Sequence, residues 1–358
     1  MIYIILGTIG EFIKLFPVMK QLGRHGVGYR FVFTGQAAGT VNRNIKRLRI
    51  RKPDYVLSNR TKDLESISQL LAWIPKVFLA ARRLPIRRND YVIVHGDAVS
   101  TLLGFFIGKW YGAKIVHIES GKRTHSLFNP FPEEVIRIFI SRFSDICFPA
   151  NQNDANNIRY RGNVFQTKGN TIIDAVREVL HHKPSKTIRR LTRTPYVLFL
   201  VHRQENILLT NNLKTIVAIL QIVLKEKFRI IWPLHTNTRY ALVANNYLRF
   251  LHHLAKSYSF FTTSLFDYPD FIYLLSKCLF VVTDEGGVQE EAYILNKPTL
   301  VLRKTSENPG IGETAMLSDL DLERVRTFLR TYPTLVRRQE IRSSPSRMVV
   351  DVFRKKLL

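Results

Sequence analysis

The stretch "DYVIVHGDAVSTLLGFFIGKWYGAKIVHIES", residues 90–120, decides the fold class. Two short apolar runs, "YVIVH" and "KIVHI", flank a helical pattern, "TLLGFFIGKWYG". Val/Ile runs without polar alternation belong to strands covered on both faces, and parallel strands need a crossover helix between them. The segment therefore reads as strand, helix, strand of a parallel sheet. Each run exits on a polar group, Gly96-Asp97 after the first and Glu119 after the second.

The same grammar extends in both directions. Upstream, "IYIILG" ends at Gly7-Thr8, a helical pattern "EFIKLFPVMKQLGRHG" follows, and "YRFVFTGQ" is the next strand; a helical region occupies the sixties and seventies. Downstream come a loop, a helix from about Glu133, and the short strand "DICFPA". The segment "GNTIIDAVREVLHHKPSKTIRRLTRTP" reads as a crossover, with Pro184, Ser185 and Thr194-Pro195 as linker or turn. The pattern then restarts in "YVLFLVHRQEN", "LKTIVAILQIVLKE", "RIIWPLHTN", "FDYPDFIYLLSKC", "LFVVTDEGG", "VQEEAYILN" and "KPTLVLR". The expected fold is α/β: two doubly wound, Rossmann-like domains, residues 1–172 and 173–340, with residues 341–358 returning to the first domain as a helix. A chain of 358 residues exceeds what one core usually supports. No internal repeat or low-complexity segment stands out.

Composition narrows the class. No apolar run reaches the roughly 18 residues of a membrane span, so no membrane insertion is expected. The apolar start is interrupted by Glu11 and Lys14 and lacks the leading basic stretch of a signal peptide. Two cysteines, Cys147 and Cys278, imply no disulfide framework, and a cytoplasmic protein is expected. The formal charge is +26, from 54 Lys+Arg against 28 Asp+Glu. The basic clusters "RRLPIRR", "TIRRLTR", "VRRQEIR" and "FRKK" are scattered and lack interleaved aromatics. They read as a generally basic surface, with no specific nucleic-acid partner.

Acids are scarce, so their placement carries information. Asp97, Glu119, His202, His235 and Glu285 each follow an apolar run, at the carboxyl ends of expected strands, where open α/β sheets bind ligands. In "TDEGGVQEEAYIL" a glycine pair opens a helix whose first amides suit a phosphate, and a carboxylate in its first turn can accept from ribose hydroxyls. "IESGKRTHSLFNPFPEEVIR", residues 118–137, concentrates Glu119, Glu133 and Glu134 around a loop ordered by Pro130 and Pro132. A solvated loop and a helix start would explain such acids; a pair of carboxylates sharing acid and base roles would explain them as well. No spacing indicates a metal site or a serine hydrolase.

Ten blocks, in order, resemble one family over nearly the whole chain. They are "GTIGEFIKLFPV", "TGQ", "HGDAVST", "HIESGKRT", "PFPEEVIR", "GNTIIDA", "VHRQEN", "YPDFIYLLSKC", "TDEGGVQEEA" and "KPTLVLRKTSENP". The chain resembles the UDP-N-acetylglucosamine 2-epimerases of the non-hydrolysing bacterial type. The resemblance implies a GT-B fold, two Rossmann-like domains facing a central cleft, and a homodimer. It implies a UDP-sugar substrate, no nicotinamide or other cofactor, and epimerisation at C2 by elimination and re-addition of UDP. It places acid/base chemistry on Asp97, Glu119, Glu133 and His202. It places Lys14, Arg137, His235, Gly286, Gly287, Glu291 and Arg303 around the substrate, with Glu291 on the ribose. Four positions depart from the family pattern: Ile9 and Asn308 stand where it has arginines, Ala37 where it has histidine, and Glu285 where it has serine. Alternatives within the fold are a hydrolysing epimerase or a glycosyltransferase. An alternative of another class is a catalytically silent member that binds a nucleotide or an anionic partner.

Overall fold

The apolar runs of the first half form β1 (Ile2–Leu6), β2 (Tyr29–Phe33), β3 (Tyr55–Val56), β4 (Tyr91–His95), β5 (Lys114–Ile118) and β6 (Ile146–Phe148). Those of the second half form β7 (Val197–Leu200), β8 (Ile230–Pro233), β9 (Phe260–Thr263), β10 (Val281–Thr283), β11 (Thr299–Val301) and β12 (Ala315–Leu317). The structure, a computed structural model, describes residues 1–64, 66–125, 132–159, 162–306 and 308–357. Among these the strands build two parallel sheets, ordered β3-β2-β1-β4-β5-β6 and β12-β11-β10-β7-β8-β9. Counted from each sheet's own first strand, both orders are the doubly wound 3-2-1-4-5-6. The topology is thus duplicated where the sequence has no repeat.

Two compact units result. Unit 1 is Met1–Glu178 with Arg342–Leu358, and unit 2 is Val179–Ile341. The division falls inside the helix Ile172–Leu180. Local contacts fasten the first part of that helix to unit 1. Asp174 accepts hydrogen bonds from Ser344 Oγ at 2.8 Å and Ser346 N–H at 2.7 Å, and Arg177 donates to the Ser343 carbonyl. Glu178 pairs with Lys20 and Arg24. The tail helix Pro345–Val352 packs on the helix Ile9–Arg24, and Phe353 stands edge-on to Tyr91 at 5.5 Å. Between Thr236 and Thr263 the structure adds helices Thr236–Ala244 and Tyr247–Ser257 and the strand β9, which the sequence pattern leaves unmarked. The polar "TTS" at residues 262–264 is the reason: β9 has one buried residue, Phe260, so it lacks the continuous apolar run of a central strand.

Glycine sets how closely a helix approaches the first sheet. Gly104 and Gly108 lie one turn apart on the helix Val99–Trp110, facing β1, β4 and β5. A Cβ on Gly108 would overlap Ile115 Cδ1 and come 3.0 Å from Val92 Cβ, and one on Gly104 would lie 2.9 Å from Val94 Cγ1. The core beneath holds Tyr3, Ile5, Val92, Val94, Ile107 and Ile115. In unit 2 the corresponding core is aromatic, with Phe199, Trp232, Phe280 and Phe328 packed among aliphatic side chains.

Gly108→Val is expected to destabilise unit 1 by about 1–3 kcal/mol through overpacking. Gly23→Ala, where nothing lies within 4 Å of the added methyl, is expected to stabilise by up to about 1 kcal/mol through helix propensity. Urea unfolding of the two variants beside the parent checks both signs; a neutral Gly108→Val would mean the helix is not in close contact.

Candidate active site

In unit 1 the strand order reverses between β1 and β4, and ligand sites of doubly wound sheets lie at that reversal, beyond the carboxyl ends. Gly7-Thr8 leaves β1, Gly96-Asp97 leaves β4, and Glu119 leaves β5. The first exit is stiffened by a capping box. Thr8 Oγ1 accepts from Glu11 N–H, and the buried Glu11 carboxyl accepts from the N–H groups of Gly7 and Thr8 and faces the hydroxyls of Thr8, Ser100 and Thr101. Glu11 thereby ties the starts of two helices, Ile9–Arg24 and Val99–Trp110, to one carboxyl group.

Glu119 has φ of 62°, the left-handed region that non-glycine residues rarely enter, and Gly121 follows at 81°. A Cβ at Gly121 would overlap the Asp154 carbonyl oxygen, so the tight turn requires glycine there. The turn brings cations onto the Glu119 carboxylate: Lys14 Nζ lies 2.7 Å from Oε2 and Lys122 Nζ 3.6 Å from Oε1. His95 Nε2 stands 3.2 Å from Oε2. Burial alone would raise this carboxyl, but the ammonium groups of Lys14 and Lys122 override it and hold it well below the usual carboxylate range. Glu119 is therefore a buried anion at neutral pH, with its side chain 10% exposed.

The second carboxylate is held differently. Arg137 Nε lies 2.5 Å from Asp97 Oδ2, and the same guanidinium reaches Glu134 Oε2 at 3.4 Å. Glu134 is buried and accepts from Thr124 N–H, so it positions Arg137 and the loop. Glu133 opens the helix Glu133–Phe143, and its Oε2 is buried without a hydrogen-bond partner among the described residues. The three acids of the 118–137 stretch thus have three environments. Pro130 and the loop around it lie outside the described residues; Pro132 immediately precedes the helix without a side-chain cap.

Two histidines that sequence reading passed over complete this end of the sheet. Burial pushes His95 down to about 3 and His117 down to about 4, so both are neutral. The available signal was a histidine near the end of an otherwise apolar central strand, in "VIVH" and "KIVH". Glu11 was legible as the fourth member of a Thr-x-x-Glu capping pattern.

Unit 2 places its polar groups at the corresponding reversal, between β7 and β10. Asp284, fully buried after β10, accepts from the N–H groups of His202 and Arg203 and from Asn206 Nδ2, which fixes the loop after β7. The His202 and His235 rings lie 5.3 Å apart, tilted by 34°. Burial and then the neighbouring His202 lower His235. Gly286-Gly287 begin the helix Gly286–Ile294, and the Asn308 side chain lies over the first glycine, 2.5 Å from where its Cβ would be, with Arg303 Nη1 at 3.9 Å. Glu285 precedes this helix without capping it through its side chain; its carboxylate lies 3.7 Å from His202 Nδ1. Glu291 is buried, and burial followed by the charge of this carboxylate pushes the Tyr268 phenol well up. Arg203 pairs with Glu205 at 2.9 Å, and Lys304 is exposed. Among the described residues no cluster of His, Cys, Asp and Glu could hold a metal ion, and no helix is long and apolar enough to cross a membrane.

A family model described as UDP-N-acetylglucosamine 2-epimerase matches residues 20–329. A UDP-N-acetylglucosamine 2-epimerase of Methanococcus maripaludis is 32% identical over 322 residues, 86% of this chain and 84% of the relative. One of Campylobacter jejuni is 30% identical over 343 residues, 88% and 84% of the two chains. The crystal structure of UDP-GlcNAc 2-epimerase from Neisseria meningitidis bound to UDP-GlcNAc aligns with a TM-score of 0.82 at 26% identity, covering 99% of this chain and 100% of the other. The Methanocaldococcus jannaschii enzyme in complex with UDP-GlcNAc and UDP gives 0.83 at 24% identity, covering 99% of each, a likeness of fold.

The neutral histidines predict an acid-sensitive unit 1. Their folded values lie below the unfolded 6.5, so between the two the unfolded chain binds more protons and stability falls as pH falls. Below about pH 4.5 the depressed Glu119 adds a loss of the same sign. Unfolding free energy should drop by up to about 1.4 kcal/mol per pH unit for each histidine from pH ~6.5 downwards. Urea titrations of the parent and of His95→Gln across that window measure the slope. An unchanged slope in the variant would mean that His95 is protonated in the folded state.

Proposed function

The chain belongs to the UDP-N-acetylglucosamine 2-epimerase family, and on that premise we propose that it interconverts UDP-GlcNAc and UDP-ManNAc by eliminating UDP and adding it back. The C2 proton is not activated by a carbonyl, so departure of UDP from C1 must run ahead of its removal. The sugar then gains positive character and the diphosphate negative character, and the site must stabilise both. In the elimination the C1–O bond breaks towards UDP and the C2 proton passes to a carboxylate. In the return UDP oxygen re-forms the bond at C1 and a proton is delivered to the opposite face of C2.

The observation that carries the reading is the buried, ionised Glu119 at the end of β5, with its backbone in the left-handed region and its carboxylate paired with two lysines. With Asp97 on Arg137 and the partnerless oxygen of Glu133, it supplies unit 1 with carboxylates suited to a cationic sugar and to proton transfer. The glycine turn at Gly286-Gly287, Arg303, His202 and His235 suit the diphosphate, and Glu291 the ribose. Lys14 and Arg137 act in this reading through the acids they pair with. Homodimerisation belongs to the same proposal. It is supported by exposed apolar side chains on neighbouring helices of unit 1, Phe106, Trp110, Val135 and Phe143.

Incubation with UDP-GlcNAc in D₂O, followed by NMR, is expected to yield UDP-ManNAc deuterated at C2. Free N-acetylmannosamine with UDP would select a hydrolysing enzyme, turnover only with an added acceptor a glycosyltransferase, and tight UDP binding without turnover a silent member. Glu119→Gln is expected to lower kcat by about 10²–10⁴-fold with little change in UDP affinity; normal turnover by the folded variant would remove Glu119 from the reaction.

The departures from the family pattern weaken the nucleotide side. Glu285 introduces a carboxylate at the glycine turn, where about 5 Å from a phosphate charge it would cost roughly 3 kcal/mol at an effective dielectric near 20. Glu285→Ser is therefore expected to tighten UDP binding by about tenfold, equivalent to about 1.4 kcal/mol. Calorimetry on the two proteins decides it, and equal affinities would place Glu285 away from the diphosphate.

A further inference from the structure

We infer that His117 is a positioning residue that joins the two carboxylate-bearing loops of unit 1 to the helix Glu133–Phe143 through a single directed chain of hydrogen bonds. His117 is on β5, opposite Val94 of β4, and is buried. Its Nε2 lies 2.8 Å from the carbonyl oxygen of Gly96, and its Nδ1 lies 3.3 Å from Ser141 Oγ. Ser141 Oγ in turn accepts from Gly121 N–H at 3.2 Å.

Only one proton arrangement satisfies these contacts. The Gly96 carbonyl can only accept, so the proton of the neutral ring must sit on Nε2. Nδ1 is then an acceptor, and the Ser141 hydroxyl donates to it. The hydroxyl oxygen remains free to accept from Gly121 N–H. The chain runs Gly121 N–H to Ser141 Oγ–H to His117 Nδ1, and from His117 Nε2–H to Gly96 O.

Each end of this chain abuts a proposed reacting group. Gly96, at φ 66°, immediately precedes Asp97, and its N–H is already bonded to the Ile118 carbonyl at 3.0 Å. Gly121 lies between Glu119 and Lys122, and its carbonyl is held by Asn157 Nδ2 at 2.8 Å. The middle of the chain is on the third element. Glu133, Arg137 and Ser141 recur every fourth residue and so share one face of their helix. Ser141 therefore anchors the face that presents Arg137 to Asp97 and carries Glu133. His117 is where the exits of β4 and β5 and this helix face are set in register. A carboxylate misplaced by about 1 Å can cost about 10²-fold in rate, so such a link acts on kcat while leaving nucleotide affinity alone.

The kinetic readout rests on the proposed epimerisation, whereas the hydrogen-bond chain can be read without substrate. Ser141→Ala removes one hydroxyl and cuts the chain. It is expected to lower kcat by about ten- to a hundredfold with KM and UDP affinity unchanged. His117→Leu should have the same effect, and His117→Gln, which keeps a donor and an acceptor, should recover most of the rate. The double variant Ser141→Ala/His117→Leu should be no slower than His117→Leu alone. Should His117→Leu fail to fold, Ser141→Ala decides the kinetic question. In ¹⁵N NMR of the native protein, His117 should show the Nε2–H tautomer and no titration down to about pH 5. An Nδ1–H tautomer, or native kcat in folded Ser141→Ala, overturns the inference. A native protein inactive on UDP-GlcNAc would sink the proposed reaction instead, and the tautomer alone would then judge the chain.

Discussion

A carboxylate buried without a cation costs several kcal/mol, and the polar end of unit 1 is arranged around that constraint. Glu119 can be buried because Lys14 reaches it at 2.7 Å from the first helix and Lys122 approaches from its own loop. The position of Lys14 depends on where that helix begins, and the capping box of Thr8 and Glu11 sets the beginning. Glu11 also faces Ser100 and Thr101 at the start of the helix Val99–Trp110. One ion pair thus holds β5, the first helix and the Gly121 turn in mutual register. Gly104 and Gly108 then let the helix Val99–Trp110 come down onto the sheet without altering that register.

The two units share a strand order yet end in different chemistry. The strand exits of unit 1 carry acids already matched with cations, as with Asp97 on Arg137 and Glu119 on Lys14. Those of unit 2 carry imidazoles and a glycine turn, with Asp284 spent on holding the His202 loop through backbone N–H groups. Acids favour developing positive charge, while helix amides and cations favour a diphosphate. Glu285 is the exception on the second unit, an acid half-exposed beside His202 at the amide-rich helix start.

The excess of basic residues has a plain structural side. Buried or half-buried acids are used in pairs: Asp54 with Arg30 and Arg51, Glu178 with Lys20 and Arg24, Glu134 with Arg137. Cations outnumber acids, 54 Lys+Arg against 28 Asp+Glu, and the arginines of the 82–88 cluster lie exposed. Exposed charges of this kind contribute little to stability in either direction, so the fold tolerates a charge of +26.

The sequence alone determined the alternation of strands and helices, the doubly wound class, and the placement of Asp97, Glu119, His202 and Glu285 just past strand ends. Apolar periodicity and glycine turns are local properties, written in neighbouring residues. Short or half-exposed elements such as β9 escaped because their residues do not repeat an apolar pattern. What local pattern could not contain is which side chains meet. Lys14 and Glu119 are separated by 105 positions, and His202 and Asp284 by 82. Tertiary structure alone decided that Glu134 supports Arg137, that Asp284 fixes the His202 loop, and that His95 and His117 are neutral. Protonation and partnership depend on burial and on groups brought from distant segments, and both come into existence only when the sheet closes around them.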